Sequence, residues 1–223
     1  MIRRKYNNKL LLHDQLKDYD IIFWDFDGVI KDSVELKKDI FIELFAGQDE
    51  RIIKKISNHH LENSGISRYE KIPIYLDWNN IHKSNLEKYC NRFSELSIDK
   101  VIKSNWIDGV KNFIKIESKL RRNHIVSATP DFEIKEITKS LNIDKYFVSI
   151  NGSPKSKKDH ITEIILNSNS NSNSKCRAVL IGDGKNDMKS ARDTNIDFFL
   201  KESKYSRKFI DHNIKVIFNK FED

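Results

Sequence analysis

Cysteine, proline and glycine are all scarce in this chain of 223 residues, which contains two, three and seven of them, respectively. Cys90 and Cys176 stand far apart and lack the spacing of a disulfide framework or a thiolate metal site, so a reducing, cytoplasmic setting is expected. No apolar run approaches the length of a membrane span. The basic residues 3–5 are followed only by the short run Leu10–Leu12, which does not match a signal peptide. Stability must therefore come from a hydrophobic core, for which a chain of this length suffices.

The chain also lacks any long block of like charges. Charged residues make up 33% of it and the formal net charge is +7, but the excess positive charge is spread along the sequence. Because a nucleic-acid-binding protein gathers positive charge in a patch or stripe, that class is disfavoured. A mild positive field suits a small anionic substrate instead.

The most informative segment is the apolar run of residues 21–24, which ends in Asp25, Asp27 and Gly28. Continuous apolar residues bounded by a turn signal are typical of a strand that is covered on both faces. Carboxylates at the carboxyl end of such a strand lie where open α/β sheets bind ligands, and because they repel each other a cation is expected beside them. The alternative interpretation is an ordinary strand end followed by an Asp-Gly turn.

Strand and helix patterns alternate on either side of a long helical block. Residues 34–104 carry apolar positions at helical spacing and no good pattern for a parallel strand. Strands are predicted before and after this block, at residues 20–25, 123–127, 146–150, 177–182, 196–200 and 215–218. This alternation indicates an α/β fold with a parallel, doubly wound, Rossmann-like sheet. We therefore predict a core formed by residues 1–33 and 105–223, with residues 34–104 as an inserted helical domain.

Polar residues follow several of the predicted strands. Ser127 ends the second, a loop with three lysines follows the third, and Asp183 and Asp187 follow the fourth. Since the carboxyl ends of parallel strands meet at one edge of a sheet, all of these groups are expected beside the first two carboxylates. Carboxylates that hold Mg²⁺, a nucleophile, an acid and a phosphate-binding cation together suit phosphoryl transfer.

Two of these segments resemble motifs of the haloacid dehalogenase-like (HAD) superfamily of phosphohydrolases. Residues 25–33, Asp-Phe-Asp-Gly-Val-Ile-Lys-Asp-Ser, resemble its first motif, and residues 182–187, Gly-Asp-Gly-Lys-Asn-Asp, resemble its fourth. Ser127 and one lysine of the following loop resemble the weaker second and third motifs. The resemblance covers residues 20–200 in outline, and the first and fourth motifs in this order are specific. It implies a HAD core with a helical (C1-type) cap, in the phosphatase/β-phosphoglucomutase branch.

The resemblance also implies roles for the four aspartates. Asp25 would be the nucleophile that forms an aspartyl-phosphate, and Asp27 the general acid that then acts as the base toward water. Mg²⁺ would be held by Asp25, by the main-chain carbonyl of Asp27 and by Asp183, with Asp187 close to the metal. Because family dehalogenases lack the second aspartate of the first motif, the presence of Asp27 implies chemistry at phosphorus.

A hydroxyl and a lysine complete the catalytic set that the resemblance implies. Ser127 would donate a hydrogen bond to a phosphoryl oxygen, and the lysine would offset the charge of nucleophile and phosphate. Spacing to the next helix favours Lys157 for that role, with Lys155 as second choice and Lys158 left open. Lys155 is also a candidate for substrate binding.

The inserted helical block contains a second motif of interest. Residues 64–70 resemble the cap loop of β-phosphoglucomutase and its relatives, in which an arginine binds a second phosphate or anionic group of the substrate. By this resemblance Arg68 would bind that group bidentately, Gly65 would allow the loop to turn, and Ser67 would also face substrate. The alternative is a surface arginine at a junction between helices.

One departure from the mutase pattern decides between two functions. Mutases of that type carry a hinge histidine twelve residues after the nucleophile, where this sequence has Lys37. We therefore expect an Mg²⁺-dependent phosphatase that acts on a small phosphorylated metabolite, such as a sugar phosphate, and binds neither nucleic acid nor membrane. The alternatives are a β-phosphoglucomutase-like phosphomutase and a non-catalytic anion-binding module on the same fold. The sequence does not indicate an oligomeric state.

Overall fold

A single six-stranded sheet organises the computed structural model, which describes residues 12–170, 175–210 and 214–221. All adjacent strands are parallel, and their order is β3-β2-β1-β4-β5-β6. The strands are β1 (Ile21–Trp24), β2 (Arg122–Pro130), β3 (Ser149–Ser153), β4 (Ala178–Gly182), β5 (Asp197–Lys201) and β6 (Ile214–Phe218). This topology confirms the predicted parallel, doubly wound α/β fold.

Nine α-helices of the described residues lie before the first strand and between the strands. They are α1 (Leu12–Leu16), α2 (Val34–Leu44), α3 (Glu50–Glu62), α4 (Arg68–Trp78), α5 (Leu86–Lys103), α6 (Val110–Glu117), α7 (Asp131–Ser140), α8 (Lys157–Ser170) and α9 (Lys185–Asp193). Helices α2 to α5 follow β1 without an intervening strand and form the helical cap. Among the described residues, no helix combines the length and apolarity needed to cross a membrane.

Strand β1 is the centre of the hydrophobic core. Ile22 and Trp24 belong to one apolar cluster, whereas Ile21 and Phe23 belong to another. All four side chains are fully buried. Because successive side chains of a strand point to opposite faces, the continuous apolar run of β1 fills both faces of the sheet.

The cap has an apolar cluster of its own. Phe41 of α2 packs edge-on against Tyr75 of α4, with ring centroids 5.2 Å apart, and against Phe93 of α5 at 4.3 Å. Ile56 of α3 is fully buried in the same cluster. Helix α3 begins after Asp49, whose carboxylate accepts a hydrogen bond from the Arg51 amide. The helices thus pack around a centre separate from the sheet, as an inserted domain requires.

The third strand differs from its prediction. It spans Ser149–Ser153 rather than residues 146–150, and a short 3-10 turn, Asp144–Tyr146, precedes it. The apolar residues that suggested a strand include Val148, which is 66% exposed. Pairing of Ser149 with His124 of β2 sets the strand's position, so the neighbouring strand overrides the local apolar pattern.

The strand order brings three chain segments together at the carboxyl edge. Trp24, the last residue of β1, pairs with Ile125 of β2 on one side and Ile181 of β4 on the other. The segments that follow these residues therefore leave the sheet side by side, and the amide of Asp25 donates to the carbonyl of Ile181 at 2.9 Å. The chain passes from β1 to β2 and β3 on one side and then returns from β3 to β4 on the other side of β1. Such a reversal of strand order is the usual ligand site of open α/β sheets.

Candidate active site

Three buried carboxylates form a cluster at this edge. Asp25 follows β1, Asp183 follows β4, and Asp187 lies in the first turn of α9. Each offers an oxygen within 4.8 Å of the others. Gly28 permits this approach: its φ is +81°, and a Cβ there would lie 2.2 Å from Oδ2 of Asp183. The first and fourth sequence motifs thus meet in one site.

Lys157, the first residue of α8, lies within this cluster. Its Nζ is 2.7 Å from Oδ1 of Asp25 and 2.5 Å from Oδ1 of Asp187. Burial opposes the charge of the ammonium, but Asp187 and Asp25 together raise the pKa of Lys157. The other two candidates point elsewhere, since Lys155 pairs with Glu163 and Lys158 is exposed. Of the three lysines left open by the sequence, the structure brings Lys157 to the carboxylates.

The charges of the cluster do not balance. Burial, followed by repulsion from Asp187, raises the pKa of Asp25 to about 7. Burial and the charges of Asp25 and Asp187 raise the pKa of Asp183 well above its ordinary value. Within the described residues, one lysine thus faces three carboxylates. Closely spaced carboxylate oxygens with excess negative charge are the donor set of a hard divalent cation, so the residues fit Mg²⁺.

Asp27 has different surroundings from Asp25. Its carboxylate accepts hydrogen bonds from Ser33 Oγ at 2.5 Å, Lys37 Nζ at 2.5 Å and Thr129 Oγ1 at 3.1 Å. Lys37 also donates to Thr129 Oγ1 at 2.8 Å. Although burial opposes ionisation, the charge and hydrogen bond of Lys37 dominate and lower the pKa of Asp27. The two aspartates of the first motif therefore have pKa values shifted in opposite directions.

The remaining predicted residues lie at the boundary between cap and core. Ser127 is buried near the end of β2, where its Oγ accepts from the amide of Thr129 at 3.1 Å. Ser67 donates to Ser153 at 3.0 Å. The Gly65 carbonyl accepts from Asn186 Nδ2 at 2.7 Å. The cap loop thus rests directly on the catalytic edge of the sheet.

Arg68 does not point to an open anion site. Its guanidinium forms two hydrogen bonds with the carboxylate of Glu133, of 2.9 Å and 2.5 Å, and a third with Ser94 at 2.8 Å. The exposed fraction of the Arg68 side chain is only 4%. In this geometry an internal ion pair occupies the guanidinium that the sequence predicts to contact substrate. Its contact with substrate stays a prediction without support from the geometry.

Several residues of the site were missed from the sequence as contacts. Lys37 was noted only as a departure from a family pattern, and Thr129 and Glu133 were not singled out. Thr129 carried a usable signal, because it lies two residues after Ser127 and hence on the same face of β2. Glu133 carried none, since its partner Arg68 is 65 residues away in the cap.

A cavity of about 330 Å³ lies between cap and core next to the cluster. Its walls include Asp183 and Lys185 from the core, Asn58 and Asn63 from the cap, and Tyr205. Amide, ammonium and phenol groups can all hydrogen-bond a polar ligand. The cavity can therefore hold a small polar molecule with one end at Asp183.

The fold and the site define a class of protein: a capped α/β enzyme with a carboxylate-rich site at the carboxyl edge of its sheet. A family model described as haloacid dehalogenase-like hydrolase matches residues 21–201. The chain therefore belongs to the haloacid dehalogenase-like hydrolases. No protein of curated function matches the sequence.

Solved structures share the fold at low sequence identity. A variant of CbbY from Rhodobacter sphaeroides, in complex with xylulose-(1,5)-bisphosphate, is 15% identical with a TM-score of 0.72, over 91% of this chain and 95% of that one. A β-phosphoglucomutase from Clostridium difficile is 21% identical with a TM-score of 0.66, over 91% and 92%. A predicted phosphoglycolate phosphatase from Haemophilus somnus is 13% identical with a TM-score of 0.69, over 92% and 95%. At these identities the likeness establishes the fold alone.

Proposed function

We propose that this chain is an Mg²⁺-dependent phosphatase that hydrolyses a small phosphorylated metabolite through an aspartyl-phosphate. The observation that carries the proposal is the pair of aspartates after β1. Asp25 lies against Lys157 and the acidic cluster, whereas Asp27 is held by Lys37 and Thr129. Neighbouring carboxylates with separate environments suit one nucleophile and one acid–base group.

In the first half-reaction a carboxylate oxygen of Asp25 attacks phosphorus. The bond between phosphorus and the ester oxygen breaks, and the leaving oxygen takes a proton from Asp27, which receives it from the Lys37 ammonium 2.5 Å away. Lys157, 2.7 Å from Asp25, offsets the negative charge of nucleophile and phosphate. Ser127 donates a hydrogen bond to a phosphoryl oxygen.

In the second half-reaction water attacks the aspartyl-phosphate and releases inorganic phosphate. Asp27 accepts the proton of that water. Although burial opposes ionisation, Lys37 keeps the carboxylate in the ionised form that can accept a proton, and that proton returns to the Lys37 amine. Asp25 is regenerated when its bond to phosphorus breaks.

Asp25, Asp183 and the main-chain carbonyl of Asp27 would hold Mg²⁺, with Asp187 close by. When bound, the ion would neutralise charge on the phosphate and on the nucleophile. Its fit rests on the three carboxylates that share the cluster, among which Lys157 compensates only part of the charge.

The proposed substrate class is a sugar phosphate or a similar small phosphate ester. A cavity of about 330 Å³, with Asn58, Asn63 and Tyr205 in its walls, is large enough for a small polyhydroxylated leaving group. Two structural relatives support a small phosphate ester in general, since one is in complex with a sugar bisphosphate and another is described as a predicted phosphoglycolate phosphatase. Both of those compounds carry a second anionic group, and whether this chain accepts such a group is a separate question.

The proposal is tested by phosphate release from a panel of sugar phosphates and phosphorylated small acids, with and without Mg²⁺. Wild type is compared with Asp25→Asn and with Asp39→Asn, a matched control on the exposed face of α2. We expect metal-dependent release that falls by at least about 10³-fold in Asp25→Asn and is unchanged in Asp39→Asn. Equal release by wild type and Asp25→Asn would refute the nucleophile assignment.

A phosphomutase is the second candidate, because a β-phosphoglucomutase is among the structural relatives. Lys37, in place of the mutase hinge histidine, favours transfer to water. The same reactions can be analysed for interconversion of sugar 1- and 6-phosphates. Interconversion faster than phosphate release would establish the mutase, whereas binding of phosphorylated compounds without either reaction would indicate an anion-binding module.

A further inference from the structure

A buried ion pair connects the cap to the core. Arg68, the first residue of α4, lies against Glu133 in the first turn of α7. Nη1 is 2.9 Å from one carboxylate oxygen and Nη2 is 2.5 Å from the other, so the pair is bidentate. The exposed fractions of the two side chains are 4% and 1%. This is the strong, directional form of an arginine–carboxylate contact.

Two residues of α5 complete the surroundings of the guanidinium. Ser94 Oγ accepts from Arg68 Nη1 at 2.8 Å and donates to Glu133 Oε1 at 2.5 Å. The ring of Phe93 lies under the guanidinium, 4.3 Å from its central carbon. Arg68 is therefore fixed on several sides by protein groups, and its charge is compensated before any substrate binds.

A second anionic group on a substrate would have to compete with Glu133 for this arginine. Taking Arg68 away would leave the Glu133 carboxylate buried without its cation, and the incoming anion would itself lose hydration. Both costs oppose the transfer of Arg68 from Glu133 to the substrate. The number of ion pairs is the same before and after this transfer, so no additional ion pair compensates for them. Glu133 thus removes the guanidinium from substrate recognition.

The same pair holds the cap loop in place over the site. Ser67, which precedes Arg68, is bonded to Ser153 of the core. Helix α7, which carries Glu133, directly follows β2, whose last residues include Thr129, a partner of Asp27. The ion pair therefore closes the cap on the catalytic edge through protein contacts alone.

We propose that Glu133 is a specificity-determining residue that occupies Arg68, so that the enzyme takes phosphate monoesters whose leaving group bears no second anionic group. This inference rests on the proposed phosphatase function and narrows its substrate class. It opposes the role in which Arg68 binds a second phosphate or carboxylate.

The test uses two matched pairs of substrates, each differing in one anionic group. Glycerol 3-phosphate is compared with 3-phosphoglycerate, and glucose 1-phosphate with glucose 1,6-bisphosphate. Wild type is compared with Glu133→Gln and with Glu136→Gln, a control at an exposed position of the same helix. The measured quantity is the ratio of kcat/KM for the doubly anionic and singly anionic member of each pair.

We expect a ratio of one or less in wild type and in Glu136→Gln. In Glu133→Gln the ratio should rise at least tenfold, through a lower KM for the doubly anionic member. The double variant Arg68→Gln/Glu133→Gln should lose this gain, because the released guanidinium is then absent, and the wild-type ratio keeps the test decisive if Glu133→Gln folds poorly. A wild-type preference of tenfold or more for doubly anionic substrates would overturn the proposal. So would an equal fall in kcat/KM for both members in Glu133→Gln, since that would indicate a purely structural role.

Binding measurements can test the role of Glu133 independently of the proposed phosphatase activity. Calorimetric titration of Asp25→Asn, with and without Glu133→Gln, measures the same ratio as dissociation constants without turnover. Absence of phosphate release together with the expected shift in the binding ratio would refute the phosphatase alone. Phosphate release without any shift in either ratio would refute the role of Glu133 alone.

Discussion

Replacing Asp183 with asparagine should stabilise the metal-free protein while removing its response to Mg²⁺. Asp183 lies within 4.8 Å of carboxylate oxygens of Asp25 and Asp187. At that distance and an effective dielectric constant of about 20, each pair of unit charges repels by about 3 kcal/mol. Lys157 offsets roughly one of the two repulsions, and partial protonation of Asp183 and Asp25, whose pKa values are both raised, offsets more. We therefore expect a net gain of about 1 to 3 kcal/mol, or roughly 3 to 10 °C in Tm for a chain of this size.

The measurement is thermal unfolding followed by circular dichroism at about pH 8, with EDTA or with saturating Mg²⁺. At that pH Asp25, whose pKa is about 7, is mostly ionised. Wild type should gain about 3 kcal/mol from Mg²⁺ at 100 times its Kd, whereas Asp183→Asn should gain little. Asp39→Asn removes one exposed carboxylate and should behave as wild type. A lower Tm for Asp183→Asn in EDTA, or an undiminished Mg²⁺ shift, would show that the reasoning is wrong.

Three further outcomes are expected. Gly28→Ala should cost at least about 1 to 2 kcal/mol in urea unfolding and weaken Mg²⁺ binding, because φ is +81° and the new Cβ would meet Asp183; an unchanged midpoint would contradict this. Burial lowers the pKa of His124 from 6.5 to about 4, so the folded state binds fewer protons and stability is lost as pH falls from about 6.5 toward 4. His124→Gln should therefore show a shallower loss, by up to about 1.4 kcal/mol per pH unit, and a parallel pH profile would rule the effect out. Lys157→Gln should lower kcat by at least about 10²-fold and Lys155→Gln by less than about twofold, whereas comparable losses would mean that the wrong lysine was chosen.

The central strands were predictable because their signal is local. Residues 21–24 and 178–182 are continuous apolar runs that end in glycine or aspartate, and both are strands in the structure. The third strand was misplaced by three residues, because Val148 looks like a strand residue but faces solvent. Its position depends on pairing with β2, which no local pattern contains.

Some residues of the candidate site were likewise predictable from local sequence, whereas others depend on tertiary packing. Asp25, Asp27 and Asp183 stand next to strand ends, so the parallel topology that the alternation indicates already brings them to one edge. The choice of Lys157 over Lys155 and Lys158 depends on where helix α8 begins, because side chains one residue apart on a helix point in directions that differ by about 100°. The opposite pKa shifts of Asp25 and Asp27 could not be predicted from the sequence, because they depend on the positions of Lys157 and Lys37, which are set by packing.

The parallel α/β fold, the inserted helical block and the acidic edge were predictable from the sequence alone, since strand and helix periodicity and strand-end residues are properties of short segments. The pairing of Arg68 with Glu133, in contrast, follows from the packing of cap against core. The two residues are 65 positions apart and lie in cap and core, so their contact exists only where the cap closes on the sheet. Burial then makes that contact strong, because side chains that are 4% and 1% exposed have no water to replace a lost partner.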